Sequence, residues 1–322
     1  MNNENLENPN PNLTSKNTGD FKPEIEPLIS PTKAAFLALV LVFLLYQIGG
    51  AILTLAIFGS NFEHADVNAM RLLTMGGQIL LILLPALLLS KFIYTDVTTI
   101  LRVRTAKLKE AGLFILGLII LTPLMQSYLN IQSYIIDKLA VVSPFVNSAK
   151  NFLDKLDKLV ESTYGNLLSV NNAAEGILVV IVVAVVPAIC EETFFRGFVQ
   201  SSFEFNFKPW KAALITAIFF GIYHFNPYGL LPLIGLGFFL GFAAYKTQSI
   251  LVPMILHFLN NFIAVILYFI FGSEDIFENT ASQTETVLPN IIIFIIFTSL
   301  FIALILAINN YYKKQKLLSE EI

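Results

Sequence analysis

The segment ILVVIVVAVVPAICEETFFRG, residues 177–197, ends a strongly apolar run with two adjacent carboxylates and an arginine. A charged side chain at the centre of a membrane helix costs at least about 2.5–3.5 kcal/mol, so such residues are normally paired or functional. Here the charges belong to Glu191, Glu192 and Arg196. The segment therefore predicts a membrane helix with a polar site whose other members lie elsewhere in the chain.

The composition of the whole chain favours a membrane protein over a soluble one. Hydrophobic residues make up 56% of the 322 residues and charged residues 13%, whereas soluble domains have roughly 25% charged residues. We expect the lipid bilayer to cover the excess apolar surface. The net charge of −3 is too small to indicate a nucleic-acid partner, and the single cysteine, Cys190, excludes a disulfide framework or a thiolate zinc cluster.

Apolar runs long enough to cross a bilayer recur along the chain, since a membrane helix needs about 20 apolar residues. We place them near residues 34–58, 72–93, 111–129, 174–200, 210–226, 229–246, 249–272 and 287–309. The sequence therefore predicts an all-α bundle of about eight transmembrane helices. The Asn-, Pro- and Glu-rich residues 1–32 indicate a disordered tail, and residues from about 130 to 173 indicate a mixed-charge outer loop.

Lysines and arginines beside the spans predict an orientation, because cytoplasmic loops carry an excess of both. They accumulate at residues 91–109, 208–211, 246 and 313–316. With eight spans, all four groups fall on one side of the membrane. We therefore expect both termini in the cytoplasm of a multi-pass cell-membrane protein, and the Asn-, Lys-, Ile- and Phe-rich composition favours a bacterial plasma membrane.

Two of the three histidines lie inside these spans. His224 ends FGIYH, residues 220–224, and His257 opens HFLNN, residues 257–261. Residues four apart share a helix face, so His257 and Asn261 point in the same direction. At about 1.5 Å per residue, both histidines and Glu191 lie about 12–21 Å from the cytoplasmic helix ends. This depth predicts a shared cavity in the cytoplasmic half of the bilayer.

Helix spacing separates the two adjacent carboxylates. Arg196 follows Glu192 by four residues, an order that favours an ion pair along the helix, whereas Glu191 points about 100° away. We expect Glu192 to be a paired, structural carboxylate and Glu191 to be free. Pro187, one turn earlier, removes a backbone hydrogen bond and should loosen the helix just before the pair.

Glycines four residues apart offer another pattern. Gly237 and Gly241 predict close packing between membrane helices. We interpret the pairs Gly49–Gly50 and Gly76–Gly77 in the same way.

The polar residues together suit more than one chemistry. A carboxylate in a low-dielectric cavity can act as a general base on water, an imidazole can orient that water, and a second histidine with an asparagine can bind an oxyanion. These parts describe amide hydrolysis. Two histidines and one glutamate also form a catalytic zinc set, although no HExxH is present. A buried glutamate and histidine can also relay protons in a transporter.

Three motifs carry a family resemblance. EETFFRG, FGIYH and HFLNN resemble the EExxxR, FxxxH and HxxxN motifs of the type II CAAX prenyl endopeptidase family. This family is also called the CPBP intramembrane proteases, and it includes bacterial bacteriocin-processing and self-immunity proteins. The resemblance covers about residues 174–272, while the tail and the first three spans carry no motif.

The resemblance implies an all-helical intramembrane endopeptidase. It implies that Glu191 activates water with assistance from His224, and that His257 and Asn261 form the oxyanion site. Glu192 and Arg196 would support the first carboxylate. It also favours glutamate-dependent catalysis without a metal cofactor. The alternative is zinc, held by Glu191, His224 and His257.

These expectations divide the chain into four parts. Residues 1–32 form the cytoplasmic tail, 33–173 the N-terminal spans and outer loop, 174–272 the CAAX protease-like core, and 273–322 the last span with a basic cytoplasmic tail. The expected substrate is a peptide or protein in or at the membrane. Two rival functions stay open, a proton-coupled transporter and a non-proteolytic membrane scaffold.

Overall fold

Long helices make up the described part of the chain, which contains no strand. A computed structural model describes residues 27–59, 66–94, 96–277 and 287–320. The helices are α1 (Pro31–Phe58), α2 (Val67–Tyr94), α3 (Leu108–Val142), α4 (Pro144–Leu168), α5 (Ala173–Glu204), α6 (Pro209–Tyr223), α7 (Leu230–Thr247), α8 (Leu251–Gly272) and α9 (Leu288–Glu320). The expected all-α membrane bundle is confirmed. Most of the expected tail, residues 1–26, lies outside the described residues.

Seven of these helices are long and apolar enough to cross a membrane, namely α1, α2, α3, α5, α7, α8 and α9. The remaining expected span, residues 210–226, corresponds to α6, which has only 15 residues. At 1.5 Å per residue α6 is about 22 Å long, whereas the hydrocarbon core is about 30 Å thick. Helix α6 is therefore too short to cross the hydrocarbon core by itself.

Local chemistry explains why α6 ends at Tyr223. Phe225 has a positive φ of 48°, a conformation that no helix continues through. The Gly229 N–H then donates to Asn226 Oδ1 at 2.6 Å, which closes a turn around Pro227. This turn carries His224 at its start and leads directly into α7.

The segment from about 130 to 173 is largely helical, so the expectation of an outer loop there is wrong. Helix α3 continues to Val142, and α4 follows after Ser143, whose side chain accepts from the Val146 N–H. Pro144 occupies the first helical position, which its fixed φ favours. The many charges of α4 exclude an apolar run, but they do not prevent an amphipathic helix, which packs against α2, α3 and α8.

Helix α5 is the centre of the fold, since it packs against α1, α2, α6, α7 and α8. Its residues Phe194, Phe195 and Phe198 are fully buried in a cluster shared with α1, α2 and α6. A second buried cluster joins α3, α7, α8 and α9. Four segments of the long helices are π-helical, a feature that is frequent at functional sites: Leu44–Gly49, Ile79–Leu83, Ile181–Val185 and Thr193–Gln200.

Close packing at Gly237 and Gly241 is confirmed. A Cβ atom on Gly237 would lie 3.3 Å from Ala217 Cα, and one on Gly241 would lie 2.7 Å from Gln200 Oε1. Backbone proximity at these two positions allows α7 to lie against α6 and α5.

The same interpretation is wrong for the other two glycine pairs. Among the described residues, Gly50 and Gly76 have open space around the Cβ position. At Gly49 and Gly77 the nearest atom is 4.0 Å away, which is ordinary contact. Consecutive glycines do not mark a close helix contact in these two spans.

We expect alanine at Gly241 to destabilise the protein by about 1–3 kcal/mol, because the added methyl group would lie 3.0 Å from Ala213 Cβ and 3.4 Å from Ala213 Cα and would also displace the Gln200 side chain. Gly235→Ala is the matched control on the same helix, since no described atom lies within 4 Å of its Cβ position. There the change should stabilise by about 0.5–1 kcal/mol, the ordinary helix preference of alanine. Thermal unfolding in detergent measures both, and equal melting temperatures would contradict the packing argument.

Candidate active site

Glu191 and His224 face each other at the level where α6 ends. His224 Nε2 lies 3.8 Å from Glu191 Oε2, and the two side chains are 23% and 14% exposed. Among the described residues, Glu191 Oε2 has no hydrogen-bond partner. The gap is too long for a direct hydrogen bond, and its length would let one water molecule bridge the two atoms at about 2.8 Å from each. The pair can therefore hold and polarise one water molecule.

The tautomer of His224 follows from its other ring nitrogen. His224 Nδ1 lies 2.6 Å from the carbonyl oxygen of Phe220. A carbonyl oxygen only accepts, so Nδ1 carries a hydrogen. In the neutral imidazole, Nε2 is then the unprotonated nitrogen and presents its lone pair on the side of Glu191. This tautomer accepts a hydrogen bond from water.

A second polar cluster lies behind this pair, and it is fully buried. Glu192 Oε1 accepts from Arg196 Nη1 at 2.8 Å and from His257 Nδ1 at 2.8 Å. Arg196 also donates to the Gly237 carbonyl at 3.1 Å, and its guanidinium lies 4.4 Å from the centre of the Phe220 ring. The expected Glu192–Arg196 ion pair is confirmed. Glu192 also orients His257, so its carboxylate does more than neutralise Arg196.

Asn261 is held by a carbonyl that Pro187 leaves free. Pro187 has no N–H to donate to the carbonyl of Val183, four residues earlier in α5. Asn261 Nδ2 donates to that carbonyl at 3.0 Å, and its Oδ1 accepts from Asn260 Nδ2 at 3.1 Å. One N–H of Asn261 is used in this way and the other is left for a ligand.

Phe220 connects the two pairs. Its ring centroid is 4.5 Å from that of His224 and 5.9 Å from that of His257. The structure thus forms two neighbouring pairs, Glu191–His224 and Glu192–His257, while Asn261 bonds to the Val183 carbonyl and to Asn260. Phe220 was not assigned a role from the sequence, although its spacing of four residues before His224 indicates a shared helix face.

Helix α1 also reaches this site, although no motif marked it. Gln47 Nε2 donates to the carbonyl of Tyr223 at 2.7 Å, and the Tyr223 hydroxyl donates to the carbonyl of Leu39. Both bonds hold the end of α6, directly before His224. The sequence feature that could have indicated this contact is the polar dipeptide Tyr46–Gln47 inside an otherwise apolar span.

Helices α3 and α4 hold the other side of the α6–α7 turn. The Tyr228 hydroxyl donates to Asp154 at 2.5 Å, and Gln132 donates to the Tyr228 carbonyl at 3.2 Å. Burial raises the pKa of Asp154, but hydrogen bonds from Lys150 and Tyr228 outweigh it and leave that pKa below its usual value. Asp154 therefore stays ionised and keeps the turn attached to α4.

The zinc alternative requires Glu191, His224 and His257 to converge. In the part of the chain that the structure describes, no three His, Cys, Asp or Glu side chains are grouped to hold a metal ion. His257 Nδ1 is directed at Glu192, and only Glu191 and His224 approach each other. A carboxylate behind a histidine is also a common support for zinc ligands, so metal dependence is a matter for experiment.

Fold and site together define a multi-pass helical membrane protein with a carboxylate–histidine site inside its bundle. Residues 173–263 match the family model described as Type II CAAX prenyl endopeptidase Rce1-like. The match includes every motif residue named above and confirms the family resemblance. The comparisons with curated proteins and with solved structures returned no match.

Proposed function

We propose that the protein is an intramembrane endopeptidase that cleaves a peptide bond in a membrane-associated or lipidated substrate. The observation that carries the proposal is the Glu191–His224 pair, with an unpartnered carboxylate oxygen, inside the Rce1-like segment. A buried carboxylate and a neutral imidazole suit the activation of water. The family match supports the reaction class.

The reaction needs only water as co-reactant. Glu191 takes a proton from water, and the oxygen attacks the carbonyl carbon while His224 Nε2 orients the molecule. The carbonyl becomes a tetrahedral oxyanion. Glu191 then returns its proton to the amide nitrogen, the C–N bond breaks, and a carboxylic acid and an amine leave.

His257 and Asn261 suit the oxyanion step. The hydrogen bond from His257 Nδ1 to Glu192 orients the imidazole and leaves Nε2 for the substrate, where the imidazolium form donates an N–H, and Asn261 has its second N–H available. In this arrangement Glu192 and Arg196 position His257 instead of reacting. All six residues thus act in the roles that the motif resemblance implies.

Chelation tests the metal-free form of this proposal. We expect purified protein in detergent to keep full peptidase activity after exhaustive treatment with EDTA and 1,10-phenanthroline, because Glu191 alone can deprotonate water. The measurement is the cleavage rate of a quenched fluorescent peptide, with metal content determined in parallel. Loss of activity that zinc alone restores would refute the metal-free form and support zinc on Glu191, His224 and His257.

A comparison of cells that contain the active protein with cells that contain Glu191→Ala would identify the substrate. Cells with the active protein should contain new peptide N-termini that are missing from cells with Glu191→Ala, as measured by mass spectrometry. We propose that the substrate is a peptide precursor or another membrane protein. A cellular phenotype that persists with Glu191→Ala would favour the scaffold instead, and proton flux in liposomes that Glu191→Gln abolishes would favour the transporter.

A further inference from the structure

Helix α1 lies outside the Rce1-like segment, yet it places a polar dipeptide beside the site. Tyr46 and Gln47 belong to the π-helical segment Leu44–Gly49. The hydrogen bond from Gln47 to the Tyr223 carbonyl, at 2.7 Å, ties this segment to the residue before His224. A π-helical turn shifts the direction of the side chains that follow it and is frequent at functional sites. The neighbouring Tyr46 is thereby held at the same level of the bundle.

Tyr46 lies between α2 and Glu191. Its ring passes over Gly77, where Cε2 is 4.0 Å from the Cβ position, and it packs against the buried cluster that contains Cys190. The hydroxyl lies within hydrogen-bonding range of the Gln78 side-chain amide and within electrostatic range of the Glu191 carboxylate. Tyr46 therefore places a hydroxyl group in the same region of the bundle as the proposed general base.

Two side chains near Tyr46 each have a buried polar atom without a partner. Gln78 is only 6% exposed, and its Oε1 has no hydrogen-bond partner among the described residues. Glu191 Oε2 is likewise without a partner in that part of the chain. Both atoms are acceptors, and buried acceptors that lack partners are costly, so they favour a ligand with N–H or O–H donors, such as water or a peptide amide.

The motif residues leave few donors for an oxyanion. The Nδ1–H of His224 and one N–H of Asn261 are used by backbone carbonyls, and the Nδ1–H of His257 is used by Glu192. What remains is one amide hydrogen and, after protonation, the Nε2–H of His257. Preorganised donors at the oxyanion are commonly the largest single contribution to catalysis of acyl transfer. The hydroxyl of Tyr46 is a neutral donor that needs no protonation.

We propose that Tyr46 is a further catalytic residue, whose hydroxyl donates a hydrogen bond to the substrate carbonyl oxygen as it becomes an oxyanion, with the Gln78 amide orienting the phenol. This inference rests on the proposed endopeptidase function. It assigns part of the catalytic machinery to a helix outside the matched segment.

Tyr46→Phe tests the inference, because it removes the hydroxyl and keeps the ring. We expect kcat for a quenched fluorescent peptide to fall by about 10²- to 10³-fold with KM and the melting temperature unchanged. Tyr94→Phe is the matched control. It removes a buried hydroxyl from the same cluster, and the partner of that hydroxyl, Ser202, follows Glu191 by 11 residues in α5, or about 16 Å. Its kcat should equal that of the wild type.

Each outcome has one meaning. An unchanged kcat in Tyr46→Phe would overturn the inference. It would also be overturned if Tyr46→Phe lowered both kcat and the melting temperature and the protein with 3-fluorotyrosine at position 46 had the same low kcat as Tyr46→Phe. Restoration by 3-fluorotyrosine, which keeps the hydroxyl and the packing, would support it. If the wild type cleaves the peptide and Glu191→Gln does not, an unchanged kcat in Tyr46→Phe would refute only the role of Tyr46 and would leave the endopeptidase proposal intact.

Discussion

Replacing Glu191 with glutamine is expected to reduce kcat by about 10²- to 10⁴-fold, the range that positioned acid–base catalysis contributes. Glutamine keeps the size of the side chain and its hydrogen-bonding capacity, but it cannot accept a proton from water. Because Glu191 Oε2 has no partner among the described residues, no structural contact is lost. The melting temperature and membrane insertion should therefore stay unchanged. Peptide cleavage and thermal unfolding in detergent measure the two effects separately.

The control for this substitution is Glu175→Gln. It makes the same chemical change on the same helix, 16 residues or about 24 Å earlier. Glu175 accepts hydrogen bonds from Asn171 and Asn172 at the start of α5 and lies 3.8 Å from Arg71. Its replacement should leave cleavage unchanged. Wild-type activity in Glu191→Gln would remove Glu191 from the mechanism and the main support for the proposed function.

Replacing Arg196 with methionine is expected to destabilise the protein by about 3–5 kcal/mol, because it leaves the carboxylate of Glu192 buried without its cation. Both side chains are fully buried, and Arg196 also donates to the Gly237 carbonyl in α7. Loss of the hydrogen bond from Arg196 to Gly237 removes a contact that joins α5 to α7. The melting temperature should fall strongly, and peptide cleavage should fall with it.

The double variant Glu192→Gln/Arg196→Met separates stability from positioning. With no unpaired charge in the core, its melting temperature should recover much of the loss. Activity should stay low, because a neutral glutamine accepts a weaker hydrogen bond from His257 Nδ1 than a carboxylate does and orients the imidazole less firmly. If the double variant were as active as the wild type, the buried cluster would have no part in catalysis. If it were no more stable than Arg196→Met alone, charge burial would not explain the destabilisation.

Several features of the fold could be predicted because they depend on residues close together in the chain. Apolar runs identified the membrane helices, and the spacing of Glu192 and Arg196 identified their ion pair. Helix α4 was missed, because its charges resemble those of a loop and its apolar residues form no continuous run. The length of α6 was overestimated, since the positive φ of Phe225 is not visible in the sequence.

The sequence by itself determined the helical membrane class, the three motifs and the pairing of Glu192, not Glu191, with Arg196, because each depends on composition or on spacing within one helix. The tertiary structure alone decided which helices meet. It directed His257 to Glu192 and bonded Asn261 to the Val183 carbonyl, which receives no N–H from Pro187. It also brought Tyr46 and Gln47 to the site. The physical reason is that contacts between helices depend on their packing, which many distant side chains determine together.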